Sequence, residues 1–96
     1  MYYYCVSVAR TVPEQTEEVF AAALVLAEAA RREPGNIYYE VLRPDNAPDT
    51  VVLTEKWLTR EDFAAHTKGE ACRAFGPVID GASDGPSQIF ECTGAR

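Results

Sequence analysis

Apolar and polar residues alternate with a period of two in several stretches of the chain and recur at three- and four-residue steps in others. Tyr2 to Arg10 is rich in aromatic and β-branched residues and reads as a strand, with Tyr4, Val6 and Val8 as its more apolar row. The other row, Tyr3, Cys5, Ser7 and Ala9, is uncharged too, so both faces of this strand are expected to be covered. Pro13, followed by Glu14, Glu17 and Glu18, suits the positive end of a helix dipole. The helix it opens is expected from about Glu14 to Arg32. Val19, Phe20, Ala23, Leu24, Leu26, Ala27 and Ala30 make its stripe, and Pro34-Gly35 stops it. Asn36 to Arg43 returns to strand composition, and the turn formers of Pro44 to Asp49 lead into a second strand, Thr50 to Leu58. There Val51, Leu53, Glu55 and Trp57 share one face, with Val52, Thr54, Lys56 and Leu58 on the other. Thr59 followed by Glu61 and Asp62 is an N-cap with acids in the first turn, opening a helix with Phe63, His66 and Thr67 along one side. Gly69 interrupts it. A short helix from about Glu70 to Phe75 is expected to stop at Gly76-Pro77, Asp80 to Ser87 to be loop, and Gln88 to Thr93 to be the last strand.

The order strand, helix, strand, strand, helix, strand predicts an α+β fold, the ferredoxin-like βαββαβ pattern with a four-stranded antiparallel sheet, as one domain over residues 1–96. Right-handed crossovers place the helices on one sheet face. The opposite face, to which Val52, Thr54, Leu58, Ile37, Tyr39 and Val41 are assigned, is left bare and apolar, which marks an interaction surface. A chain of 96 residues buries only roughly 60–65% of its extended surface and gains from a partner. Together these predict a homodimer packed sheet to sheet.

Nine basic against fifteen acidic residues give a net charge of −6, which leaves no electrostatic footprint for nucleic acid or for an anionic membrane surface. No apolar run approaches a membrane span, and the first dozen residues lack the pattern of a signal peptide. Three widely spaced cysteines, Cys5, Cys72 and Cys92, are not a disulfide scaffold and fit a reducing cytoplasm. With no CxxC pair and one histidine, no ligand set for structural zinc exists, and no metal is expected. Cys5 and Cys92 fall on strands that neighbour in this fold, where two free thiols are the default reading.

Arg32-Glu-Pro-Gly-Asn-Ile-Tyr-Tyr-Glu40, then Leu53-Thr-Glu-Lys-Trp57, Glu61-Asp-Phe-Ala-Ala-His66 and Cys72-Arg-Ala-Phe75 resemble the antibiotic biosynthesis monooxygenase family. The shared pattern is a Glu-Pro-Gly turn before strand two, a Glu-x-Trp at the end of strand three, and a His nine residues after the Trp. The resemblance implies a dimeric α/β barrel. It leaves several activities open: cofactor-independent oxygenation of quinols or polyketide anthrones, haem breakdown, and proton-transfer isomerisation of a small phosphorylated sugar. A binding module that holds a small aromatic without turnover needs the same cavity. Haem-degrading relatives carry an Asn on strand one, where this chain offers only Ser7 as a small polar contact. Anthrone oxygenases tend to have Asn and Tyr where this chain has Leu53 and Phe63.

A cofactor-free oxygenase needs a base, a dry pocket and orientation. A histidine titrates at about 6.5 when unperturbed, which makes His66 the candidate base; the alternative is a packed helix histidine. Trp57 and Glu55 share the inward face beside it and complete the catalytic candidates. A buried Glu55 requires a partner or a raised pKa. Leu24, Tyr39, Phe63 and Phe75 are candidate pocket walls, and Arg73 is a candidate contact for a substrate anion. Cys72 follows His66 by six residues, but Gly69 between them breaks the helix, so the spacing does not support a Cys-His nucleophile. The leading expectation is a cytoplasmic homodimer, without cofactor, that oxidises a quinol-type or polycyclic phenol with O₂.

Overall fold

A computed structural model describes residues 1–96. The chain runs β1 (Tyr2–Arg10), a single 3-10 turn (Pro13–Gln15), α1 (Thr16–Ala30), β2 (Asn36–Leu42), β3 (Thr50–Trp57), α2 (Arg60–Thr67), α3 (Glu70–Ala82) and β4 (Gln88–Gly94). The strands form one antiparallel sheet in the order β2-β3-β1-β4 with the helices on one face, the ferredoxin-like arrangement that the element order implies. No helix is long and apolar enough to cross a membrane.

Register decides which residues meet the helices. Tyr3, Cys5, Ser7 and Ala9 of β1 stand opposite Trp57, Glu55, Leu53 and Val51 of β3. Tyr3, Leu53, Val51 and Trp57 from these rows join Val19, Ala23, Leu26, Ala27 and Ala30 of α1 in the core. The small alanines of α1 let the helix lie close on the sheet, while Leu24, expected in its stripe, is 58% exposed on the outer flank. Successive helical residues are about 100° apart, and the Val19, Ala23, Leu26, Ala30 row takes the centre of the buried face. On β1 it is the smaller row that turns inward. Tyr4, Val6 and Val8 lie half-buried on the helix-free face with Val52, Thr54 and Lys56.

Two expectations are corrected. Tyr39 and Val41, assigned by strict alternation to the helix-free face, lie on the helix side: Tyr39 is 1% exposed and Val41 packs on the core. The ladder slips between Asn36 and Tyr38, and the extra residue, Ile37, reverses the phase of everything after it. Tyr38, Glu40 and Leu42 take the bare face instead. The second correction concerns α3, which runs through Pro77 to Ala82 rather than stopping at Phe75. Proline removes one helical hydrogen bond, but Phe75, Val78, Ile79 and Ala82 pack against the core on both sides of it, and this tertiary burial carries the helix through.

Candidate functional site

Three turns of chain converge on His66. Thr59 caps α2: its hydroxyl oxygen accepts from the Asp62 N–H at 3.1 Å, and the hydroxyl donates to Asp62 Oδ2 at 2.9 Å. The cap sets the helix so that Phe63 and His66, one turn apart, face the sheet. Before it, Glu33-Pro34-Gly35 joins the end of α1 to β2. Gly35 has φ +80°, and a Cβ there would fall 2.1 Å from Asp62 Oδ2, so the turn closes against α2 only with glycine. After it, Gly69 caps α3 and reverses the chain, returning Cys72 to the same imidazole.

The imidazole is buried. Its ring lies 4.7 Å from the Trp57 ring at 32° and edge-on to Tyr39 at 5.4 Å. Nδ1 is 2.5 Å from Glu33 Oε1. Nε2 is 3.2 Å from Cys72 Sγ and 3.6 Å from Glu55 Oε1. Glu55 Oε1 in turn accepts the Trp57 indole N–H at 2.9 Å.

Burial sets the charge states around the ring. It pushes Glu55 above the ordinary carboxylate value, opposed by the indole hydrogen bond and the neighbouring His66. Burial, reinforced by the Glu55 and Glu33 carboxylates, pushes the Cys72 thiol up to about 12. Burial and Glu55 likewise push Cys5 up to about 11, and burial raises the Tyr39 phenol. Both thiols and the phenol therefore stay protonated at neutral pH.

Beside this cluster lies a cavity of about 470 Å³ between the sheet and α2 and α3. Cys5, Ser7 and Ala9 of β1, Leu53 and Glu55 of β3, and Ser87, Ile89 and Glu91 near or on β4 form its sheet side; Phe63, His66, Cys72, Phe75 and Ile79 form its helical side. No Lys or Arg lines it. At the β4 side the Tyr3 hydroxyl donates to Glu91, a bond that raises the Tyr3 pKa.

Of the residues expected from sequence, His66, Glu55, Ser7, Tyr39, Phe63 and Phe75 line this cavity. Trp57 does not: it is wholly buried behind His66, and its indole N–H donates to Glu55. Leu24 is on the outer flank of α1, and Arg73 is exposed, donating to the Lys68 carbonyl at 2.6 Å, so neither reaches the cavity. Cys72, set aside because glycine separates it from His66, is brought to the ring because Gly69 turns the chain rather than ending the contact. Glu33 meets the ring from inside the Glu-Pro-Gly turn, where the sequence marks only a turn, and Glu91 has no signal beyond its place on a strand. Cys5 and Cys92 do not approach as a pair: Cys5 faces the cavity opposite Glu91, whereas Cys92 pairs with Tyr4 on the other sheet face. All three cysteines are free.

The sequence pattern of the antibiotic biosynthesis monooxygenases matches residues 3–77, most of the chain and every residue contacting the His66 ring. The chain belongs to the antibiotic biosynthesis monooxygenase family. Among solved structures, a Nitrosomonas europaea protein described as a 'putative antibiotic biosynthesis monooxygenase' is 26% identical, with a TM-score of 0.93 over 97% of this chain and 89% of that one. A Shewanella oneidensis protein is 25% identical at TM-score 0.84, over 95% of this chain and 90% of that one. A Methanosarcina mazei protein, 20% identical, shares the fold at TM-score 0.91 over 96% of this chain and 91% of that one. No functionally curated protein matches in sequence. The family match ends at Pro77, so the β4 side of the cavity, with Ile89 and Glu91, lies outside the matched region.

Proposed function

We propose that this member of the antibiotic biosynthesis monooxygenase family oxidises a neutral quinol-type or polycyclic phenol with O₂, without metal or cofactor. The observation that carries the reading is the placement of His66 Nε2 and Glu55 at the wall of an otherwise apolar cavity of about 470 Å³. A phenol held there gives its O–H proton to Nε2, and the electron-rich anion left behind reduces O₂ directly. One oxygen atom ends as a ring carbonyl and the other leaves as water; the substrate supplies four electrons and two hydrogens, so no outside reductant is needed. The apolar walls exclude competing water. The absence of Lys and Arg from the lining counts against a phosphorylated sugar or a carboxylate, neither of which would meet a cation there.

The working unit is proposed to be a homodimer in a reducing cytoplasm, where the three free thiols persist. Val6, Val8 and Val52 with the exposed Leu42 and Phe90 form the face that a second copy covers. Oxygen uptake on a panel of quinols and anthrones tests the reading. Consumption by the wild type that falls roughly 100-fold or more in His66→Ala supports it. Ligand-dependent thermal stabilisation without consumption assigns the cavity to binding alone and overturns it.

A further inference from the structure

The two nitrogens of His66 look in opposite directions. Nε2 lies among Cys72 and Glu55, which line the cavity, whereas Nδ1 meets Glu33, which does not line it. The His66 side chain is 2% exposed and that of Glu33 25%, so the carboxylate sits between the ring and solvent. The distances rank the partners. At 2.5 Å Glu33 forms a short, charge-assisted contact, and at 3.6 Å Glu55 is beyond an ordinary hydrogen bond and does not compete for a ring proton. An ionised carboxylate can only accept, so Nδ1 carries the hydrogen. Cys72 Sγ is 3.2 Å from Nε2 and 3.9 Å from Nδ1, so it lies beside the ring rather than along the Nε2 lone pair.

The chain fixes Glu33 from three sides. Its amide donates to the Ala30 carbonyl at 3.0 Å as α1 ends, Pro34 and Gly35 turn the chain immediately after it, and Gly69 leaves its carboxylate room. A Cβ at Gly69 would stand 3.3 Å from Glu33 Oε2 and 3.2 Å from the His66 carbonyl, tighter than most contacts allow. The remaining groups facing the ring are Tyr39 from β2, Glu55 and Trp57 from β3, Phe63 from α2 and Cys72 from α3. None of them replaces Glu33 at Nδ1 at comparable distance.

We propose that Glu33 is the positioning residue of the site: it holds His66 as the Nδ1–H tautomer, presents the Nε2 lone pair to the cavity, and stabilises the imidazolium formed there. The proton moves from a ligand hydroxyl to Nε2, while the Nδ1 hydrogen stays bonded to Glu33. The catalytic consequence rests on the monooxygenase reading, but the tautomer does not. A carboxylate orienting a histidine base through its remote nitrogen is a general solution to this problem.

The chain has a single histidine, so its ring ¹⁵N resonances need no assignment. In the wild type, the neutral ring is expected to show a protonated Nδ1 and a bare Nε2, and Glu33→Ala is expected to populate the Nε2–H form. Glu33→Gln keeps an acceptor oxygen and keeps the tautomer, but lacks the charge. On any quinol the wild type oxidises, it is expected to lower kcat roughly 10- to 100-fold with KM changed less than about twofold. A wild-type ring protonated at Nε2, an unaltered tautomer in Glu33→Ala, or an unchanged kcat in Glu33→Gln overturns the proposal. If the wild type oxidises nothing, the monooxygenase reading fails and the ¹⁵N spectra alone still decide the role of Glu33.

Discussion

β3 and β4 are both antiparallel strands with alternating side chains, yet every second residue of β3 is buried whereas β4 is exposed along nearly its whole length. The contrast comes from position in the sheet. β3 lies inside the order β2-β3-β1-β4 with α1 and α2 over it, while β4 is an edge strand that α3 does not roof, because α3 leans on α1. What α3 leaves uncovered is the cavity. The interior strand therefore supplies a fixed polar group, Glu55 held by Trp57, and the edge strand supplies the open rim, Ile89 and Glu91.

The sharpest way to break this contrast is at Trp57. Trp57→Ala empties the most fully buried large side chain and leaves Glu55 without its indole donor, so urea titration should show a loss of about 3–5 kcal/mol. A smaller effect is expected from Glu55 itself. Its folded-state pKa is raised above the ordinary value of 4.5, so the folded chain binds this proton more tightly than the unfolded one. The stability this contributes is full below about pH 4.5 and is lost as the pH rises through the folded-state value. Glu55→Gln keeps an acceptor for the indole and removes the titration. Its stability relative to wild type should therefore improve from pH 4 to pH 7 in paired urea titrations, and a constant difference would contradict the burial argument. The smallest effect on folding belongs to β4. Phe90→Asp alters an exposed side chain on the helix-free face and should change the stability of an isolated chain by no more than about 0.5 kcal/mol. In sedimentation equilibrium the same variant should lose any self-association through that face.

The parts of the fold governed by local pattern were readable in advance. The alternation of β3, the Thr59 cap and the order of elements all appear in the chain as single-residue signals, and they fix the strand order and the face on which Glu55 and His66 meet. Non-local effects were not readable. Nothing between Asn36 and Tyr38 marks the bulge that turns Tyr39 inward, and helix propensity alone ends α3 at Pro77, because the packing that extends it comes from α1. The site followed the same rule. His66 and Glu55 stand out as rare polar residues at inward positions. Glu33 and Cys72 become partners of one ring only through two turns, at Gly35 and Gly69, whose directions spacing does not encode.

Pro77 gives the cavity wall a mechanical character of its own. α3 is clamped at both ends: at its start the Gly69 amide bonds the His66 carbonyl, and at its end the Val12 amide bonds the Ala82 carbonyl and Ser83 bridges to Thr11. Between the clamps, proline has no N–H to offer the carbonyl one turn earlier. The missing bond falls in the turn that carries Phe75 and Gly76 into the cavity. The helix is thus a beam fixed at its supports and missing one rung at mid-span, in the turn that forms part of the cavity wall.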